Sequence, residues 1–325
     1  MSTRKQDSLP QARGIAWQSF AARFSAIALL TVIVLLAPLA ATNSSPAAAP
    51  QEKQKKAPSL HWDPPQVDAP ISSVSATPPC VLPDVLKLAA QRTGELIEHL
   101  QNFDAHEQIR YQESDHLGIP TLAIAEKFDY LVDFGGQSGP LSVRETRTPL
   151  AGSGDPNFNV VVDKGLPALA LIFHPNLQRD YEMRCEGVTQ WKSQPAWVIY
   201  FRQMPGTRPR TLSITTATSS FPVSLKGRAW IAPDSGQIMH LETNLVKGIP
   251  IIELISDAIS IDYAPVTFSS RNIELWLPKS AVAYTDYGKR RIIIEHTFSD
   301  FQLFSVQTQQ VIEKPKETQK PKEKP

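Results

Sequence analysis

From Ala105 to Phe304 the chain alternates apolar and polar residues with a period of two, and that pattern decides most of what it can become. The runs HEQIRYQES, TLAIAEKFDYLVDF, LSVRETRT, DYEMRCEGV, AWVIYFRQ, VSLKGRAWIA and IMHLETNLV come first. IIELISDAISIDYAPVTF, IELWLP, AVAYTDY and RIIIEHTFSDFQLF follow. Successive side chains of a strand point to opposite faces, so most runs offer one apolar and one polar face. Gly, Pro, Asn or Asp bound most of them, and short spacers between neighbours imply hairpins and antiparallel pairing. About ten such strands cannot leave an apolar face in water, so the sheet must curl, close or fold over.

Two segments break the alternation. In PDVLKLAAQRTGELIEHLQNF, Pro83 suits a first helical turn, and Val85, Leu86, Leu88, Ala89, Ile97 and Leu100 leave a polar stripe of Lys87, Gln91, Glu95 and Glu98. In GLPALALIFHPNLQRDY, Leu166, Leu169 and Ile172 or Phe173 have helical spacing and predict a short second helix. The expected fold is α+β and predominantly antiparallel β. A curved half-barrel packs on one long N-terminal helix and a short inserted helix, in a single domain over 80–310.

The flanks read differently. Arg4, Lys5, Arg13 and Arg23 precede an uncharged apolar run from Ala26 to Ala41, the layout of an export signal. Leu39 and Ala41 suit the −3 and −1 positions of a cleavage site. The run is somewhat shorter than the roughly 20 residues that cross a bilayer. Residues 1–41 are therefore either a cleaved signal or an N-terminal anchor that contacts the membrane through 26–41, and the product is periplasmic or envelope-associated. The 28 prolines crowd between residues 46 and 83 and after Lys314. The Pro/Ala/Lys-rich stretch 42–79 is expected to be an extended tether, and 311–325 a disordered Lys/Pro tail.

Lysine plus arginine number 33 against 32 acidic residues, so no overall field favours nucleic acid. Cys80 and Cys185 are the only two cysteines, in a compartment that permits disulfides. Either they bridge, closing a loop of roughly 100 residues worth about 4–5 kcal/mol, or they are two buried thiols.

No catalytic set, cofactor motif or metal motif emerges. Ser235 in WIAPDSGQIMH stands between two alternating runs, Leu225–Ala229–Ile231 and Met239–Leu241–Leu245, with Pro233 and Gly236 suited to a tight turn. It reads as a turn residue, because a nucleophile also needs a base and oxyanion donors. Ser138 in GGQSGP resembles a nucleophile elbow, but Pro140 replaces its last glycine and a strand follows. His99, His106 and Glu107 have no short ligand spacing, and His296 and Glu295 face opposite ways. Asp129 and Asp133 share a strand face but stand roughly 13 Å apart, beyond the roughly 5–9.5 Å of glycosidase pairs. Trp191, Trp197, Trp230 and Trp276 fall in or beside strands. Trp230 shares its face with Lys226 and Arg228, and either lines a groove for a hydrophobic ligand or packs under a loop.

The opening VLKLAAQRTGELIEHLQNFDAHEQIRYQ and the hairpin LKGRAWIAPDSGQIMHLET resemble the lipoprotein-carrier superfamily with the LolA/LolB-like fold. The resemblance spans roughly 83–304. It implies an apolar cavity between sheet and helices that takes a lipid, a lipoprotein acyl chain or another hydrophobic ligand, without enzymatic activity. The alternative is a cell-envelope protein–protein interaction module with a self-filled core and no ligand.

Overall fold

The computed structural model describes residues 59–71, 74–76, 79–99, 102–135, 142–151, 165–216, 218–269 and 271–304. The expected leader over 1–41, Ser138 and the expected tail over 311–325 lie outside them.

The amphipathic segment is helix α1 (Leu82–His99), which buries Val85, Ala89, Thr93 and Leu96 along one stripe. Thr93 returns its hydroxyl to the carbonyl of Ala89, so the stripe holds no unpaired polar group. Strands β1 (Asn102–Asp115), β2 (Pro120–Gly135) and β3 (Ser142–Pro149) follow. The second helical segment is a 3-10 helix, Pro167–Phe173, running into α2 (Pro175–Gln178). Next come β4 (Tyr181–Trp191), β5 (Gln194–Gln203) and a small hairpin of β6 (Ser213–Thr215) and β7 (Ser220–Pro222). Then come β8 (Leu225–Ile231), β9 (Ile238–Leu245), β10 (Ser256–Phe268), β11 (Ile273–Asp286) and β12 (Arg290–Phe304).

Ten strands make one open antiparallel sheet in the order β3-β2-β1-β12-β11-β10-β9-β8-β5-β4. Most strands pair with a chain neighbour, but β1 joins β12 and β5 joins β8, and β3 and β4 are the two edges. IELWLP and AVAYTDY, read as two strands, are the single strand β11. Its Pro278 stands opposite Tyr263, beside a register shift that leaves Lys279 of β11 without an opposite residue.

The inner face carries Phe103, Tyr130, Phe298, Ile199 and Phe201 against Val85 and Ala89 of α1 and Leu169, Ile172 and Phe173 of the 3-10 helix. Each of the larger side chains contributes about 1.5–3 kcal/mol by burial. Near edge strand β3, Glu145 and Val143 meet Leu171 and the Arg210–Ser213 segment around a polar recess of about 270 Å³. The two flanks of the open sheet thus both reach the inserted helix.

The outer face corrects the expected tether. Residues 59–71 and 74–76 are a strap that crosses it strand by strand. Leu60 exchanges two hydrogen bonds with Gln112 on β1, and Trp62 meets Tyr284 on β11 edge-on at 5.6 Å. Pro65 accepts from Asn244 on β9, while Gln66 and Ala69 accept from Arg228 on β8. Asp68 pairs with Lys226 and accepts from Tyr200 on β5. Ser75 then adds a two-bond antiparallel bridge to Val188 on edge strand β4. Val67, 1% exposed, is buried beneath this course. A disulfide joins Cys80 to Cys185 on the same strand, and the chain turns into α1.

Candidate functional site

The Ala232–Gln237 turn is a hairpin turn closed by backbone hydrogen bonds, with Gly236 at a left-handed φ of 72°. Ser235 Oγ accepts from the amide of Gln237, and its carbonyl accepts from Arg92 Nε of α1 at 2.7 Å. Ser235 therefore anchors the helix through its carbonyl, and its hydroxyl is engaged within the turn.

His106 lies on the outer face, within 3.4 Å of Asp129 and 3.0 Å of Asp300, while Glu107 is buried on the inner face. Those two cannot share a metal with His99, and no group of His, Cys, Asp or Glu able to hold a metal occurs among the described residues. Asp133 pairs at 3.9 Å with Arg144 of β3, away from Asp129.

Trp230 is 7% exposed, which corrects the groove reading. It packs with Val198, Met239, Ile71 and Trp191 in a second apolar cluster on the outer face, and meets His240 edge-on at 4.9 Å. Met239, expected beside Leu241 on the inner face, belongs to this cluster because the β8–β9 register shifts between Trp230 and Ile231. His240 is stacked under Trp191 at 3.8 Å and held by Asp262 and Glu242. Burial pulls its pKa down, but the bonds to the two carboxylates outweigh that and raise it.

Beneath the helices, sequence reasoning missed a buried ionic cluster. Arg147 of β3 grips Glu107 of β1 in a fork at 2.6 and 3.1 Å, and His296 of β12 bonds the same carboxylate at 2.7 Å. The guanidinium lies 4.7 Å from the centre of the Tyr130 ring. Burial pushes the Glu107 pKa up, but His296 and Arg147 more than reverse it and hold the carboxyl below its ordinary value. Glu145, which accepts from the Gly165 amide, is raised by burial despite Arg147. Arg147 reaches strand β1 across β2, so the cluster cross-links three strands and its charges are neutralised internally.

The open apolar site lies elsewhere. The register places Asp115 of β1 opposite Arg290 of β12, Ser256 of β10 opposite Asp286 of β11, and Leu225 of β8 opposite Leu245 of β9. The β1–β2, β9–β10 and β11–β12 connections and the start of β8 therefore share one end of the sheet. Between Leu245 and Ser256, Ile249 and Leu254 bond each other and enclose a 3-10 turn, Pro250–Ile252, with Glu253 in the left-handed region. IIELIS was expected to begin a strand. Pro250 starts the turn instead, and β10 begins at Ser256. Ile255 donates its amide to Asp286, bringing this loop beside the Tyr287–Lys289 turn.

A cleft of about 780 Å³ lies between the two, lined by Pro250, Leu254, Ile255 and Tyr287, with Lys247 and Lys289 among the lining residues. Its size is that of a small-molecule site, about 300–1,000 Å³. Ile251 is 81% exposed and Ile255 61%. Leu117, Ile119, Leu122 and Met204 are also exposed at this end, leaving only Val81 and Leu131 elsewhere among the exposed large hydrophobics of the described residues.

The chain is similar in structure to a DUF1329 family protein from Desulfovibrio piger, at 10% identity and a TM-score of 0.40, over 68% of this chain and 92% of that one. It is also similar to a putative outer membrane lipoprotein-sorting protein domain from Vibrio parahaemolyticus, at 10% identity and a TM-score of 0.37, over 67% and 91%. No family model and no curated protein matches the sequence. At these TM-scores the likenesses say nothing of ligand or activity. The signal in the sequence for the cleft was KGIPIIELIS, where Ile251 and Ile255, the two exposed isoleucines, precede the alternation that begins at Ser256.

Proposed function

We propose that this is an exported, non-enzymatic cell-envelope protein that binds a lipid or another hydrophobic group at the open end of its half-barrel. The observation that carries the reading is the apolar cleft between the β9–β10 loop and the β11–β12 turn. The resemblance implied a cavity between sheet and helices, but Phe103, Tyr130, Phe173, Phe201 and Phe298 occupy that space. Native mass spectrometry after gentle purification tests the proposal. The protein is expected to carry a copurified lipid, and Ile255→Asp, which places a charge on an exposed wall of the cleft, is expected to remove it. A bare mass in both proteins refutes the proposal.

A second reading, an envelope module that docks another protein, is favoured by the spread of exposed apolar residues. Leu117 and Ile119 on one connection and Met204 on another extend the surface beyond the cleft. A bare mass together with a protein partner cross-linked through this end selects it.

A further inference from the structure

We infer that the cleft takes a single-chain amphiphile with an anionic head, a carboxylate or a phosphate; this rests on the reading above. The apolar lining comes from Pro250, Leu254, Ile255 and Tyr287 and suits an acyl chain. The charged lining is Lys247, Lys289 and Glu253, two ammonium groups against one carboxylate. All three are exposed. Of the neighbouring charges on β12, Arg290 pairs with Glu113 and Arg291 with Asp286, each at 3.4 Å. Neither lysine has an ion-pair partner among the described residues. A lysine lays its aliphatic stem along apolar surface and keeps its ammonium in water. Two such groups on the Lys247 and Lys289 sides of one cleft leave a net positive charge where the head of a seated chain reaches solvent. A neutral head accepts only weaker hydrogen bonds there, whereas an anionic head also gains the attraction of opposite charge.

The test is calorimetric titration of the purified, delipidated protein with dodecanoate and with 1-dodecanol, both below aggregation, beside sedimentation with phosphatidylglycerol and phosphatidylcholine vesicles. Dodecanoate is expected to bind about tenfold more tightly than dodecanol, the scale of one hydrogen bond to a charged group. The difference is expected to vanish in Lys247→Gln/Lys289→Gln, while Ile255→Asp abolishes binding of both. Equal affinity for the two in the unaltered protein overturns the anionic head and leaves hydrophobic binding standing. Binding to phosphatidylglycerol vesicles without binding of either monomer overturns the inference in favour of a membrane-docking surface. Binding of no probe removes the proposed function as well.

Discussion

A single buried carboxyl carries the clearest pH signature. Asp257 on β10 is 2% exposed and receives one hydrogen bond, from Thr285 at 2.7 Å. Burial pushes its pKa up to about 6, against which the Thr285 bond works. A folded-state pKa above the unfolded one means that the folded protein holds the proton more tightly. Stability from this group is therefore complete below about pH 4 and is lost as the pH rises through about 6. Asp257→Asn keeps the acceptor for Thr285 and removes the buried charge. It is expected to stabilise the protein above pH 6 by about 1–3 kcal/mol and to leave it unchanged at pH 4. Urea denaturation at pH 4, 6 and 8 checks this, and an equal effect at all three values removes the assignment. The alternation marks Asp257 as an inner-face position, but which polar residues there find partners depends on neighbours from distant strands. Glu107, Arg147 and His296 are a case in point. They lie on β1, β3 and β12, and no local spacing could have united them.

At the scale of elements, the hairpin that carries Ser235 shows how a turn positions a helix. A Cβ on Gly236 would come within 2.7 Å of Leu88 Cβ, and its φ of 72° is one that other residues rarely adopt. Gly236→Ala is expected to cost about 2 kcal/mol or more through strain and the displacement of α1. Ser235→Ala keeps the carbonyl that holds Arg92 and is expected to change stability by less than about 0.5 kcal/mol. Thermal unfolding of the two variants separates these cases, and a large loss for Ser235→Ala would give its hydroxyl a role the turn does not. The strand positions were legible because alternation is a local property, and so was α1, from its apolar stripe. Register irregularities were not. Met239 moved to the outer cluster and Pro278 into the middle of β11 because shifts at Trp230/Ile231 and Asp262/Tyr263 depend on the partner strand.

Across the molecule, the N-terminal strap and the disulfide act as one closure of the outer face. The strap was invisible in the sequence because it has no periodicity. Many of its anchors are backbone carbonyls, of Leu60, Pro65, Gln66 and Ala69, which any residue offers, while Trp62, Val67 and Ile71 add apolar contact. A Cβ on Gly187 would lie 2.3 Å from Val74 Cγ1, so β4 is shaped at that point for the strap to pass. Five residues beyond Ser75, Cys80 is bridged to Cys185, three residues before the Val188 that Ser75 pairs with. The covalent link holds the strap's last contacts at high local concentration, and each earlier contact is short-ranged and individually weak. Cys80→Ser/Cys185→Ser removes a cross-link with a sequence separation of 105, and the expected loss is about 4–5 kcal/mol in the chain-entropy model. If strap and disulfide close together, the variant also frays from the β4 edge, and chymotrypsin, which finds Leu60 and Trp62 there, cuts the strap faster under native conditions. The sheet, held by its own ladder, stays resistant at the same protease level. Equal cutting of oxidised protein and variant would mean that the strap's contacts hold it without the disulfide, and the two devices would then be independent.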